Sequence, residues 1–185
     1  ALLQCLNVLP NFCQALSNIE KSKSALAIAT SKIFKLIKLS KDALDPSFFL
    51  VILKNVISKL KGSDFDVFSQ HDAPEILEYL LLEFSLCSVF VSQMFEMAIR
   101  TTITCDNCNQ ETVMEEPMPL LQLQPMKSIQ ISIDNFLKPE HLSSDNARYC
   151  HICSSDQSAT LEKCLSKCGH YFVIHLKHYN IDNGV

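Results

Sequence analysis

The sequence predicts an α+β protein, with helices gathered in the first half and short strands in the second. Apolar residues recur at helical spacing through roughly the first 95 positions. From about Ile99 they give way to short β-rich runs, punctuated by Pro117, Pro119 and Pro125, which confine strands to edges or ends. Six of the nine cysteines fall in close pairs, all in that second half.

Composition narrows the possibilities further. A hydrophobic fraction of 48% against 19% charged residues belongs to a chain that folds around a core. At 185 residues, that means one sizeable core or one core plus a small module. A net charge of −4 argues against nucleic-acid binding through a basic surface. The longest apolar stretch, 84–94, is bounded by Glu83 and Glu96 and interrupted by Ser85, Ser88, Ser92 and Gln93. It is too short and too polar to span a membrane, and no signal-peptide pattern opens the chain. The chain begins on Ala1 inside a helical pattern and stops at Gly184-Val185, so an internal piece of a longer protein is expected.

The elements follow in order. Leu2, Leu3, Leu6 and Leu9 form an apolar face that Pro10 is expected to close. A second helical segment, from about Phe12 to Leu39, carries lysines between apolar positions. Asp45-Pro46 is a helix start, and Phe49, Ile52, Leu53, Val56, Ile57 and Leu60 continue it to a stop at Gly62. Asp72 with Glu75 three residues on has the spacing of a capping box, ahead of Ile76, Leu77, Leu80, Leu81 and Phe84. Strands are expected at 101–104, 112–114, 120–123, 129–133, 159–165 and 171–179, with a short helix at 133–137 ended by Pro139. The boundary between the two halves is placed near 95–100.

Cysteine spacing carries the chemistry. Cys105–Cys108 and Cys150–Cys153 are two C-x-x-C pairs, each able to set two sulfurs at corners of a tetrahedron, so that four thiolates enclose a structural zinc. The long interval 109–149 puts the knuckles on separate hairpins. An odd cysteine count without a secretory signal fits a reduced compartment, the cytoplasm or nucleus, better than a disulfide framework. His151 would point away if both its neighbouring cysteines bind. Cys164 and Cys168 flank a strand start rather than a turn. A redox C-x-x-C would follow a strand and open a helix, which neither pair does.

Five motifs in order resemble the ubiquitin-specific proteases, papain-like cysteine peptidases built as thumb, palm and fingers. Ala1-Leu2-Leu3-Gln4-Cys5-Leu6 is similar to the tail of that family's cysteine box, and Asp45-Pro46-Ser47-Phe48-Phe49 to the helix before its second box. Ser69 through Leu77, with Gln70, Asp72, Ala73 and Glu75, resembles Gln-Gln-Asp-Ala-x-Glu-Phe-Leu. The two knuckles, with Glu140-His141-Leu142 before Tyr149-Cys150, resemble the fingers, and Tyr171–Tyr179 the palm strand Leu-Ile-Ile-His-Leu-Lys-Arg-Phe. Ile76 replaces the usual Phe, and His178 the usual Arg.

The resemblance implies a partial thumb–palm–fingers domain: a helical thumb lobe over 1–98, β-rich zinc-ribbon-like fingers over 99–168 and the first palm strand over 169–185. It implies ubiquitin or a ubiquitylated protein as partner, with Gln70 and Asp72 hydrogen-bonding the ubiquitin tail; pure N-capping is the competing role for Asp72. The implied reaction is thiol-dependent hydrolysis of the isopeptide bond after ubiquitin's terminal glycine. The family nucleophile would lie four residues before Ala1 and the histidine box after the palm strand, so no catalytic residue is assigned here and the piece alone is expected to be inert. Cys5 occupies a variable position and reads as a small core residue, and the Gly169-His170-Tyr171 likeness to the histidine box reads as coincidence. A catalytically dead binding module, a protease for another ubiquitin-like modifier, and an unrelated zinc-ribbon protein are the alternatives.

Overall fold

The computed structural model describes residues 2–19, 24–67 and 69–177. Two compact units divide the chain, Ala1–Met94 and Phe95–Val185. No helix among the described residues is long and apolar enough to cross a membrane.

The first unit is helical: α1 (Leu2–Asn7), α2 (Pro10–Ile19), α3 (Ala25–Leu39), α4 (Ser47–Lys61), α5 (Ala73–Cys87) and α6 (Val89–Phe95), the last crossing into the second unit. Pro10 opens α2 rather than closing α1, a role that suits a residue with fixed φ and no N–H at a first helical position. The expected segment Phe12–Leu39 is two helices. Ser24 starts the second by accepting a hydrogen bond from the Ala27 amide at 3.2 Å. The same buried hydroxyl donates to Glu83 on α5 at 3.0 Å, so one cap also ties two helices together.

Asp45 works one residue earlier than a standard cap. Its carboxylate accepts from the amide and hydroxyl of Ser47, and these donors hold its pKa below the usual range. At the other end of α4, Gly62 takes φ +68, the left-handed stop that glycine adopts without a Cβ penalty. Phe12, Leu16, Leu26, Ile57, Leu80 and Phe84 fill the core of this unit. The Phe12 ring lies 6.3 Å from Phe34 and 6.1 Å from Phe84, in edge-on and tilted contact.

The second unit carries β1 (Met97–Cys105), β2 (Glu111–Met118), β3 (Leu121–Leu123), α7 (Ile129–Leu137), β4 (Glu140–Leu142), a 3-10 turn at Ser144–Asn146, β5 (Arg148–Cys150), β6 (Ser155–Gln157), β7 (Ala159–Cys168) and β8 (Ile174–Leu176). Its main sheet is antiparallel in the order β2-β1-β7-β4. β3 pairs with β8 in parallel, and β5 with β6 as a hairpin. Met97, Ile99, Leu121 and Leu123 form the core, packed by Met118, Ile133, Phe136, Ile174 and Leu176.

Three strand expectations change. Residues 129–133 are the first half of α7, because the Ser128 hydroxyl caps the Ile131 amide at 3.2 Å. Ile129, Ile131 and Ile133 alternate as a strand would, but Ile133 and Phe136, three apart, both reach the core. The run at 171–179 is a strand only over Ile174–Leu176, and its last two residues lie outside the described set. Cys164 and Cys168 both lie within β7 and are exposed, rather than flanking the start of a strand. In that strand the register shifts between Ala98 and Ile99 of β1, leaving Ser166 as the extra residue. Its hydroxyl donates to the Ala98 carbonyl at 3.1 Å.

Truncating Phe12 to alanine removes a fully buried ring, so urea unfolding followed by circular dichroism is expected to report a loss of about 3–5 kcal/mol. Leu39→Ala, at a position 82% exposed, is expected to change stability by about 0.5 kcal/mol or less.

A candidate metal centre and a candidate channel pair

Each C-x-x-C occupies the tip of a hairpin. Cys105 ends β1, and its amide donates to the Gln110 carbonyl at 2.9 Å. The Asn109 amide then turns back to the Cys105 carbonyl at 2.8 Å, with Asn109 left-handed at φ 58. Cys150 ends β5, Ser155 opens β6, and Ser154 between them is left-handed at φ 54. In both knuckles, therefore, the residue after the second cysteine takes the left-handed conformation that turns the chain into the returning strand. Neither is glycine. Asn enters this region with a locally bonding side chain, whereas Ser154 bears a penalty of roughly 1–2 kcal/mol.

Sheet topology brings the tips together. β6 runs through Ser158 directly into β7, and β7 pairs with β1 so that Ala159 stands opposite Cys105. The Asp106 amide donates to the Ser158 carbonyl at 3.0 Å, and Thr160 donates to the Asp106 carboxylate at 3.2 Å. The first knuckle is thus stitched to the segment that leaves the second.

The four sulfurs converge. Those of Cys105, Cys108, Cys150 and Cys153 all lie within 4.8 Å of one another, with Cys108–Cys150 at 3.5 Å and Cys105–Cys153 at 4.0 Å. A tetrahedral ion with metal–sulfur bonds of about 2.3 Å requires sulfur–sulfur edges of about 3.8 Å, so the two cross-knuckle distances bracket that value. Asn107 donates to the Cys153 sulfur at 3.3 Å, an outer contact of the kind that orients a ligand. These residues could hold a metal ion.

Their electrostatics agree with a multi-thiolate site. The Cys153 amide pulls the Cys150 thiol down to about 7, working against burial and assisted by Cys108 and the Ile152 amide. The Gln110 amide acts downward on Cys108, but burial and the neighbouring thiols of Cys150, Cys105 and Cys153 outweigh it and push Cys108 up to about 12. One thiol ionises readily, and its charge discourages the next. A cation relieves that mutual repulsion.

Gln70 and Asp72 stand at the other candidate site, in the segment joining α4 to α5. Both are exposed. Asp72 occupies the N-cap position of α5, yet its side chain makes no capping hydrogen bond, and Glu75 pairs with Lys61 at 2.9 Å instead of reaching back. That ion pair lowers the Glu75 pKa and raises that of Lys61. It joins the last turn of α4 to the first turn of α5. His71 is braced separately: its ring stacks on Phe65 at 4.1 Å between centroids, and its Nε2 meets the Asp66 carbonyl. The buried Phe65 is in turn held by its amide donating to Ser58 at 2.9 Å. Gln70 and Asp72 therefore flank an anchored residue. Cys5, expected in the core, is exposed on α1.

Sequence reasoning missed the supporting residues. Asn109 carries a weak signal, since asparagine after a C-x-x-C is the usual substitute for a left-handed glycine. Ser154, Asn107 and the Asp106–Thr160 contact carry none, because their roles exist only once the hairpins meet.

An α+β chain whose antiparallel sheet ends in four converging thiols defines a class of cysteine-clamped β-hairpin proteins. Comparison with known families is more specific: residues 1–184 match the ubiquitin carboxyl-terminal hydrolase family, and the chain belongs to it. The helices and antiparallel sheets fit the papain-like fold of that family. Among relatives, ubiquitin carboxyl-terminal hydrolase 24 of mouse and of human are each 26% identical over 134 residues, covering 68% of this chain and 5% of the relative. Human ubiquitin carboxyl-terminal hydrolase 42 is 21% identical over 202 residues, covering 97% of this chain and 15% of that protein. The chain thus spans a small part of the length of these relatives.

In the metal-free chain, alkylation by iodoacetamide with peptide mapping is expected to reach Cys150 ahead of Cys108, its rate rising as pH passes about 7. Cys108, whose thiol its neighbours push up to about 12, is expected to react more slowly than Cys150 at every pH below that.

Proposed function

We propose that this chain is the frame of a thiol-dependent deubiquitinase domain. The observation that carries this reading is the family match along residues 1–184. In the proposed division, residues 1–98 are the thumb, 99–168 the fingers that grip the ubiquitin body, and 169–185 the first palm strand. Gln70 and Asp72 hydrogen-bond the backbone of the extended ubiquitin tail. The absence of a capping bond at Asp72 supports this role, since its carboxylate is not engaged by its own helix.

Cys105, Cys108, Cys150 and Cys153 hold zinc. Four thiolates with no open position suit a structural d¹⁰ ion without geometric demands of its own, and exclude a bound water. When bound, that ion supplies a cross-link between two hairpin tips and no chemistry.

The nucleophile and base come from outside this chain. A cysteine thiolate, its proton taken by a histidine, attacks the carbonyl of ubiquitin's terminal glycine. The histidine returns the proton to the lysine amine as the C–N bond breaks, and water then hydrolyses the thioester to free the ubiquitin carboxylate and the thiol. The 185-residue chain alone is inert, because neither Cys5 nor His170 stands in those roles. Reduced thiolates of this kind belong in the cytoplasm or nucleus. Ile76 and His178, which depart from the family's usual Phe and Arg, favour a second reading in which the parent is a non-catalytic binding module or acts on another ubiquitin-like modifier.

Metal analysis of the purified chain is expected to return one equivalent of zinc, lost in both Cys105→Ser and Cys150→Ser. Metal retained in either variant refutes the shared site. The full-length parent is expected to form a covalent adduct with a ubiquitin C-terminal electrophile, seen as a gel shift, while this chain forms none. A folded parent that gives no adduct supports the non-catalytic reading.

A further inference from the structure

β2 is the outer strand of the main sheet, bonded to β1 on one side and to no strand on the other among the described residues. It is eight residues long and exposed from Glu111 through Pro117, with no register shift against β1. Long, regular edges of this kind are templates for another strand unless they are guarded.

Antiparallel alternation identifies the outward backbone groups. The Cys105 amide bonds to the Gln110 carbonyl, so these two residues face each other as a hydrogen-bonded pair. Stepping by two along the register, Thr112 with Ile103, Met114 with Thr101 and Glu116 with Ile99 are pairs of the same kind. The N–H and C=O groups of Glu111, Val113 and Glu115 consequently point away from the sheet. Pro117 is next in that outward series, where its missing N–H breaks no bond to β1. It ends the usable edge.

Charge selects the occupant. Glu115 is held by Arg100 at 3.1 Å, whereas Glu111 and Glu116 have no cationic partner among the described residues. In the self-pairing register that uses all three outward residues of a second copy, Glu111 stands opposite Glu115 twice. Like charges directly opposite are destabilising, and although Arg100 offsets part of the charge at Glu115, the edge disfavours its own copy. The same carboxylates favour a strand bearing lysine or arginine, and exposed Val113 and Met114 offer it apolar contacts.

We propose that the β2 edge takes up an extended basic segment of a partner protein as an additional antiparallel strand, through main-chain hydrogen bonds to Glu111, Val113 and Glu115. This inference goes beyond the proposed function and does not need the parent to be catalytic.

The test uses the 185-residue chain and two synthetic seven-residue peptides, one alternating Lys or Arg with Val and Thr, the other with Glu in place of every basic residue. Titration by NMR is expected to show saturable binding of the basic peptide alone. Amide-exchange protection is expected to rise at Glu111, Val113 and Glu115, with Thr112, Met114 and Glu116 already protected by β1. Val113→Pro removes one outward donor but no bond to β1, as Pro117 does naturally. It is expected to weaken the basic peptide at least tenfold while the sheet's amide spectrum is retained. Equal binding of both peptides, no binding at millimolar concentration, or unchanged affinity in Val113→Pro overturns the proposal. So do outward amides already protected without peptide, whether by a second copy or by another segment of a longer parent.

Discussion

The convergence of two hairpin tips on one point is the constraint on which the second unit depends. β5 and β6 contribute only three residues each, and a hairpin that short has too little apolar surface to hold itself. The core of Met97, Ile99, Leu121 and Leu123 lies toward the other end of β1. At the tip itself, the four sulfurs converge beside the stitch from Asp106 to Ser158 and Thr160. Without the cluster, the tips stay joined by that stitch and by the pairing of β7 with β1.

The first unit is held by different physics. Its stability comes from aromatic and aliphatic packing around Phe12, and its joints are single polar contacts placed where helices start or stop. Ser24 both caps α3 and reaches Glu83, and Lys61–Glu75 links the end of α4 to the start of α5. These links matter more for geometry than for energy, since exposed ion pairs contribute little. The segment carrying Gln70 and Asp72 is shaped by them, with His71 stacked on Phe65 between the two.

The two halves also manage their surfaces differently. Lysines run along the outer side of α3, whereas β2 presents glutamates along an otherwise regular edge. Acidic residues on an edge strand are commonly read as protection against aggregation, and the Glu111–Glu115 spacing does oppose pairing with an identical strand. Opposition to like strands and preference for basic ones are the same electrostatic fact.

Much of this was legible in one dimension. The helix start at Asp45-Pro46, the stop at Gly62 and the two C-x-x-C knuckles depend on local backbone chemistry, so residue type and spacing suffice to place them. Where local signals conflict, the sequence is ambiguous: alternating Ile129, Ile131 and Ile133 suit a strand, whereas the Ser128 cap and the packing of Ile133 and Phe136 against the sheet core favour the helix α7. By itself the sequence determined that four thiols occur as two turn-borne pairs, because a C-x-x-C turn closes over four residues. Only the tertiary structure decided that the pairs meet, because that requires the register of β7 on β1, a contact between residues about fifty positions apart that no local preference encodes.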